Sequence, residues 1–100
     1  MEPTGSRIGP VIDELFAVIE ARRTADPEES YTARLLTGDE DQLLKKVGEE
    51  ATEVVMAAKD HDRDHLRYEV ADLIYHLLVV MAREGLDPDQ LAAELAERRR

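Results

Sequence analysis

The chain has 100 residues, enough for one thin hydrophobic core, and no cysteine, which excludes disulfides and thiolate metal sites. Its 23 acidic and 13 basic residues give a net charge of -10, which argues against nucleic-acid binding. The N-terminus lacks the apolar run of a signal peptide, and the longest near-apolar stretch, Leu73 to Ala82, is too short to span a bilayer. We therefore expect a cytoplasmic protein with no membrane partner.

In chain order, the sequence predicts a flexible N-terminus over residues 1–9 and a single all-α domain over residues 10–100. No segment shows the apolar alternation of a strand, and Ala, Leu, Glu and Lys, which favour helix, are abundant in the middle of the chain. The pattern indicates a bundle of about four helices. They are expected near residues 10–23, 39–59, 64–83 and 88–100.

Local signals mark the ends of these helices. Asp39 and Asp87 are predicted N-caps, and Pro88 suits the first position of the last helix. Gly85 predicts the C-terminal end of the preceding helix. The segment 30–36 is expected to form either a short turn of helix or a loop.

The two long central helices each carry an apolar stripe that we expect to face the core. The predicted stripes are Leu43, Leu44, Val47, Ala51, Val54, Val55 and Ala58 on the first, and Leu66, Val70, Leu73, Ile74, Leu77 and Met81 on the second. On the second helix, Leu78, Val79 and Val80 extend the apolar character around further faces. Because one thin core cannot cover them all, we expect a homodimer.

Four acidic residues border these stripes. At about 100° per residue, Glu50 and Glu53 lie on one flank of the first helix, and Glu69 and Asp72 on one flank of the second. Antiparallel packing would bring the two flanks together, where the carboxylates repel. Either bound protons must raise their pKa values or a cation must neutralise them. Oxygen ligands of this kind favour Mg²⁺, with Mn²⁺ as a substitute.

Several motifs on these helices resemble those of a known family. The string 49–53 reads E-E-A-T-E and 69–72 reads E-V-A-D, the paired signature of the all-α MazG-like nucleotide pyrophosphohydrolases. The strings S-Y-T-A-R-L-L over 30–36, K-K-V-G-E-E over 45–50 and A-D-L-I-Y-H-L-L over 71–78 are similar to phosphoribosyl-ATP pyrophosphatases. The resemblance covers about residues 11–86.

This resemblance implies an all-α homodimer that uses Mg²⁺ to cut phosphoribosyl-ATP between its α- and β-phosphates. The products would be phosphoribosyl-AMP and pyrophosphate, as in the second step of L-histidine biosynthesis. The resemblance maps metal binding onto the four flanking carboxylates, with one neighbour as an adjunct. These residues are Glu50, Glu53, Glu69, Asp72 and Glu49.

Glu50 or Glu53 is the expected proton acceptor, because a carboxylate not fully occupied by metal can take a proton from water. Side chains that could contact the substrate are Lys46, Tyr31, Thr32, Arg34, His76 and Lys59. For each of these a structural role is an open alternative. Arg34 and Lys59 could be plain surface residues, and Tyr31 and Thr32 could be ordinary turn residues. Lys46 could form an internal ion pair with Glu50, and His76 could be a buried histidine with satisfied hydrogen bonds.

The residues His61, Asp62, Asp64 and His65 resemble a metal cluster in composition, but their place in a short connector argues against a site. Two other functions remain open from the sequence. One is a housecleaning nucleotide pyrophosphohydrolase of the same superfamily. The other is a non-catalytic helical module that uses its acidic rows as an interaction surface and is indifferent to Mg²⁺.

Overall fold

The computed structural model describes residues 7–99, which contain five α-helices and one turn of 3₁₀ helix at Arg22–Thr24. The helices are α1 (Ile8–Ala21), α2 (Tyr31–Thr37), α3 (Glu40–Lys59), α4 (Arg63–Glu84) and α5 (Pro88–Ala96). The predicted all-α fold is confirmed, and the segment 30–36 forms a helix rather than a loop. Most of the predicted flexible N-terminus lies outside the described residues, while Ile8 and Gly9 already belong to α1.

Short polar side chains fix where the helices begin. Ser30, Asp39, Asp62 and Asp87 are the N-caps of α2 to α5, and each accepts a hydrogen bond from a backbone N–H in the first turn. Asp87 also forms a reciprocal capping box with Gln90. These caps include both of those predicted from the sequence. The helix boundaries are therefore set by local hydrogen bonds as well as by packing.

The helices α3 and α4 form an antiparallel hairpin, joined by the three residues Asp60, His61 and Asp62. At the far end of α4, Gly85 adopts a left-handed conformation with φ of 77° and ends the helix, as predicted. The helices α1 and α2 pack against the C-terminal half of α4. The core between them consists of Phe16, Ile19, Leu35, Leu36, Leu43, Leu78, Val79, Met81 and Ala82.

The predicted apolar stripes do not coincide with this core. On α3 the buried residues are Leu43, Glu50 and Ala57, whereas Leu44 and Val55 of the predicted stripe are 47% and 66% exposed. On α4, Met81 is the one buried member of the predicted stripe. The reason is that α3 packs on α4 through the flank that carries the carboxylates, which turns much of each apolar stripe outward.

A related correction concerns Leu78 and Val79, whose apolar character suggests that one or the other faces a partner subunit. Both are buried inside the chain's own core. Over the residues that the structure describes, none of the helices is both long and apolar enough to cross a membrane.

Two glycines provide a matched test of the backbone packing at the end of α2 and within α3. A Cβ built on Gly38 would lie 2.6 Å from the carbonyl oxygen of Arg34, whereas a Cβ on Gly48 of α3 meets nothing within 4 Å. We expect Gly38→Ala to lower the free energy of unfolding by about 1–3 kcal/mol, because backbone must move. Gly48→Ala should raise it by roughly 0.5–1 kcal/mol, since alanine favours a helix interior.

Urea unfolding of both variants measures these changes. Equal effects of the same sign would contradict the close approach of α2 to the Gly38 turn.

Candidate metal and active site

The α3–α4 hairpin brings acidic side chains from both helices into one cluster. Carboxylate oxygens of Glu50, Glu69 and Asp72 all lie within 4.8 Å of one another. Glu50 and Glu69 are each only 7% exposed, although they carry charge-bearing groups. Their burial follows from their positions on the flanks through which α3 and α4 pack.

A second group lies beside the first and shares Glu69 with it. Ligand atoms of Glu53, His65 and Glu69 also lie within 4.8 Å of one another. The Nε2 atom of His65 is 2.9 Å from Oε2 of Glu69, one helical turn further along α4. The four carboxylates predicted from the two helices are therefore all in the site, divided between two overlapping groups.

Glu50 carries the clearest electrostatic signature of this crowding. A side-chain hydrogen bond with Asp72, burial and the negative charge of Asp72 together raise the pKa of Glu50 from about 4.5 to about 7. Lys46, whose Nζ lies 3.5 Å from Oε1 of Glu50, opposes this rise. A proton held between the two carboxylates thus offsets part of their repulsion.

Lys46 and Tyr31 extend the site toward α2. Burial lowers the pKa of Lys46, whereas the neighbouring Tyr31, Glu50 and Glu49 raise it. Because the pKa of Lys46 is raised overall, its ammonium stays protonated near neutral pH. Burial also raises the pKa of the Tyr31 phenol, an effect that Lys46 partly offsets. The site therefore presents one cation and one neutral hydroxyl beside the acidic cluster.

The hydrogen bonds of His76 favour the second of its two predicted roles, that of a buried histidine with satisfied hydrogen bonds. Its Nδ1 donates to the carbonyl oxygen of Asp72 at 2.8 Å, so its Nε2 is left to accept from the Tyr31 hydroxyl at 3.0 Å. The ring is 2% exposed. His76 therefore has no free ring nitrogen for a substrate and instead holds Tyr31 over the site.

Two other residues from α2 join this network. Thr32 forms a hydrogen bond with the hydroxyl of Tyr75, whose ring stacks against that of Tyr31 at a centroid separation of 6.4 Å. The guanidinium of Arg34 lies 5.7 Å from the centre of the Tyr31 ring and donates to the carbonyl oxygen of Pro27. Tyr31, which is close enough to Glu50 and Asp72 for their charges to act on it, lines with Arg34 and Gly38 a groove of about 360 Å³.

Two predicted site residues are not brought to the cluster. Glu49 is exposed on another side of α3, where its carboxylate lies 4.0 Å from Nζ of Lys45, and it belongs to neither group of potential ligands. Lys59 is exposed in the last turn of α3, about 9 Å along the helix axis from Glu53. Neither position on the helix faces α4.

Sequence reasoning missed the contributions of His65 and Tyr75. The sequence interpretation assigns His65 to the connector, but it lies in the first turn of α4. Its spacing of four residues from Glu69 would have placed the two on one face of a helix. Tyr75 left no comparable signal, because its contact with Thr32 depends on where α2 packs.

The donor set fits a hard divalent cation. The first group offers only carboxylate oxygens, the ligands that Mg²⁺ and Mn²⁺ prefer. The raised pKa of Glu50 indicates that the cluster already takes up a proton to reduce its negative charge. A cation can take over that role, so the residues present suit the metal that the motifs imply.

Facing carboxylates on two adjacent antiparallel helices are the arrangement that the sequence motifs imply for the class of all-α nucleotide pyrophosphohydrolases. Within that class, the chain belongs to the phosphoribosyl-ATP pyrophosphohydrolase family, whose sequence model matches residues 12–99.

Individual relatives agree with this membership. The phosphoribosyl-ATP pyrophosphatase of Haloarcula marismortui is 55% identical over 93 residues, which cover 91% of this chain and 95% of the relative. The phosphoribosyl-ATP pyrophosphatase of Methylibium petroleiphilum is 58% identical over 84 residues, covering 84% of this chain and 70% of the relative. A histidine biosynthesis bifunctional protein, HisIE, of Thermus thermophilus is 46% identical over 93 residues, which make up 44% of its length.

The raised pKa of Glu50 predicts a pH dependence of stability in the metal-free protein. Between about 4.5 and about 7, the folded chain keeps a proton on Glu50 that the unfolded chain releases. The contribution of this group to the free energy of unfolding therefore falls as pH rises through that interval. We expect Glu50→Gln in EDTA to gain stability relative to wild type progressively over the same interval.

Urea unfolding at a series of pH values measures the difference between the two proteins. Glu49→Gln, which removes an exposed carboxylate from the same helix, is the matched control. A difference between Glu50→Gln and wild type that does not change with pH would disprove the buried carboxyl pair.

Proposed function

We propose that this chain hydrolyses phosphoribosyl-ATP to phosphoribosyl-AMP and pyrophosphate in L-histidine biosynthesis, and that the reaction depends on Mg²⁺. The observation that carries the proposal is the convergence of Glu50, Glu69 and Asp72 within 4.8 Å, beside Lys46, in a chain of this family. Relatives with 55% and 58% identity are named phosphoribosyl-ATP pyrophosphatases, which supports the same substrate here.

Glu50, Glu53, Glu69 and Asp72 are the residues that would hold the metal, because their oxygens meet between α3 and α4. When bound, Mg²⁺ would neutralise phosphate charge and make a bound water more acidic. This resolves the conflict between an acidic protein and a polyphosphate substrate, since the anionic ligand would otherwise meet a repulsive surface. Mn²⁺ is a chemically suitable substitute.

The chain's own residues supply positioning and proton transfer. Water attacks phosphorus, the bond between the α- and β-phosphates breaks, and pyrophosphate leaves. Glu50 or Glu53 accepts the proton of the attacking water. Lys46 holds a phosphate oxygen, because its ammonium lies at the edge of the cluster and its side chain is 39% exposed.

The groove beside Tyr31 suits the nucleoside part of the substrate. Tyr31 presents a partly exposed ring, which His76 and Tyr75 hold in place. Arg34 lies over the same ring and lines the same groove. A base can stack on such an aromatic surface, while Thr32 acts indirectly by fixing Tyr75.

Removal of single carboxylates tests the proposed chemistry. Glu50→Gln, Glu53→Gln and Asp72→Asn should each lower turnover by about 100-fold or more, the scale expected for loss of general-base or metal-binding groups. The measurement is pyrophosphate release from phosphoribosyl-ATP with Mg²⁺ or with EDTA. Glu97→Gln, at the end of α5, is the control and should match wild type.

Circular dichroism must show unchanged helicity for these variants. Near-normal turnover in all three would rule out the site. Comparison of phosphoribosyl-ATP with dUTP and dCTP separates this function from that of a housecleaning enzyme, which would prefer the deoxynucleotides.

We also propose that the active form is a homodimer. Leu77 and Leu95 are 41% and 56% exposed, and both line an apolar groove of about 440 Å³ between α1, α4 and α5. Contiguous exposed apolar surface of this kind is typical of a protein–protein interface.

No nucleic-acid partner forms part of the proposal, because the net charge of -10 repels polyanions. The cytoplasmic location stays a prediction.

Substitution of two adjacent leucines, Leu77 and Leu78, tests the proposed interface and the core independently. Leu77→Asp should leave the chain folded and convert a dimer into a monomer in sedimentation experiments. Leu78→Asp should unfold the chain, because Leu78 is 2% exposed within the core and a buried unpaired charge is strongly unfavourable. A wild-type monomer with full activity would contradict the dimer.

A further inference from the structure

The second group of potential ligands differs chemically from the first. Glu50, Glu69 and Asp72 offer only oxygen atoms, whereas Glu53, His65 and Glu69 add an imidazole nitrogen. All-carboxylate sites suit Mg²⁺, while an imidazole ligand favours transition metals, among which Mn²⁺ also accepts carboxylates. Two neighbouring groups with different donors can therefore have different metal preferences.

The backbone holds His65 where its side chain can reach this group. Asp62, the N-cap of α4, accepts a hydrogen bond from the His65 amide at 3.1 Å, so His65 lies within the first helical turn. Glu69 follows four residues later on the same face, and the two side chains meet at 2.9 Å. Glu53 approaches from α3, so the group is formed by both helices of the hairpin.

The other two histidines of the chain are not equivalent to His65. His61 lies in the connector, in the left-handed backbone conformation with φ of 58°, and belongs to neither ligand group. His76 is buried, and protein groups occupy both its ring nitrogens. His65, with a side chain 42% exposed beside an almost fully buried Glu69, is the imidazole that a metal ion can reach.

We propose that His65 is a metal ligand, which completes with Glu53 and Glu69 a second cation position that prefers Mn²⁺ to Mg²⁺. Glu69 is shared between the two positions. The inference rests on the proposed function in one respect, namely that the carboxylates of the hairpin hold divalent metal. In the metal-free protein, the contact between His65 and Glu69 keeps both ligands in place.

Pulsed electron paramagnetic resonance of the full chain loaded with MnCl₂ tests this directly. A histidine ligand couples its ¹⁴N nucleus to the unpaired electrons of Mn²⁺, and wild type should show that coupling. His65→Gln should abolish it and weaken Mn²⁺ binding in calorimetric titrations by roughly tenfold or more. Mg²⁺ binding should change much less, because the all-oxygen group is intact.

His61→Asn is the matched control, since it removes the other exposed histidine and asparagine tolerates a left-handed conformation. It should keep the nitrogen coupling, the Mn²⁺ affinity and the rate of pyrophosphate release. Circular dichroism establishes that both variants are folded. Absence of nitrogen coupling in wild type, or its persistence in His65→Gln, would overturn the assignment.

Pyrophosphate release from phosphoribosyl-ATP by wild type is measured in parallel, with Mg²⁺ alone. Release without nitrogen coupling to Mn²⁺ would overturn the role of His65 and leave the proposed function intact. Nitrogen coupling that depends on His65, without any release, would support the ligand assignment while the proposed substrate fails.

Discussion

Like charges buried between α3 and α4 are the constraint to which much of the structure responds. Carboxylates of Glu50, Glu69 and Asp72 lie within 4.8 Å of one another, although their mutual repulsion and loss of water both destabilise the folded chain. A shared proton, the ammonium of Lys46 and the imidazole of His65 each offset part of that cost. The apolar core has to supply the remaining stability, and it is built mainly where α1 and α2 pack on the other end of α4.

The sequence was sufficient to predict the helices and the acidic residues of the site. Caps such as Asp39 and Asp87 act through bonds within one turn, so their effect can be read without knowledge of tertiary packing. The convergence of the carboxylates is predictable because their spacing places them on one flank of each helix. The carboxylates of the two helices come together if consecutive long helices pack antiparallel, and a short connector enforces this packing.

The orientation of the helices could not be predicted in the same way. An apolar stripe on a helix indicates burial, but it does not say whether the partner is the same chain or another copy. Leu44, Val55 and Leu77 therefore suggested an internal core and prove to be exposed within one chain. The roles of His76 and Tyr75 were equally inaccessible, because both depend on contacts with α2 across more than forty residues of sequence.

The carboxylates of the site lie close together in the sequence, and this has a consequence for folding. Every acidic residue proposed as a metal ligand lies between Glu50 and Asp72, within one hairpin whose connector is three residues long. Closing such a short loop costs little chain entropy, and helical hairpins of low contact order form quickly. The proposed metal ligands are thus carried by one short stretch of sequence. The bifunctional Thermus thermophilus protein matches 93% of this chain with 44% of its own length, so the hairpin occurs there together with the helices that pack on it.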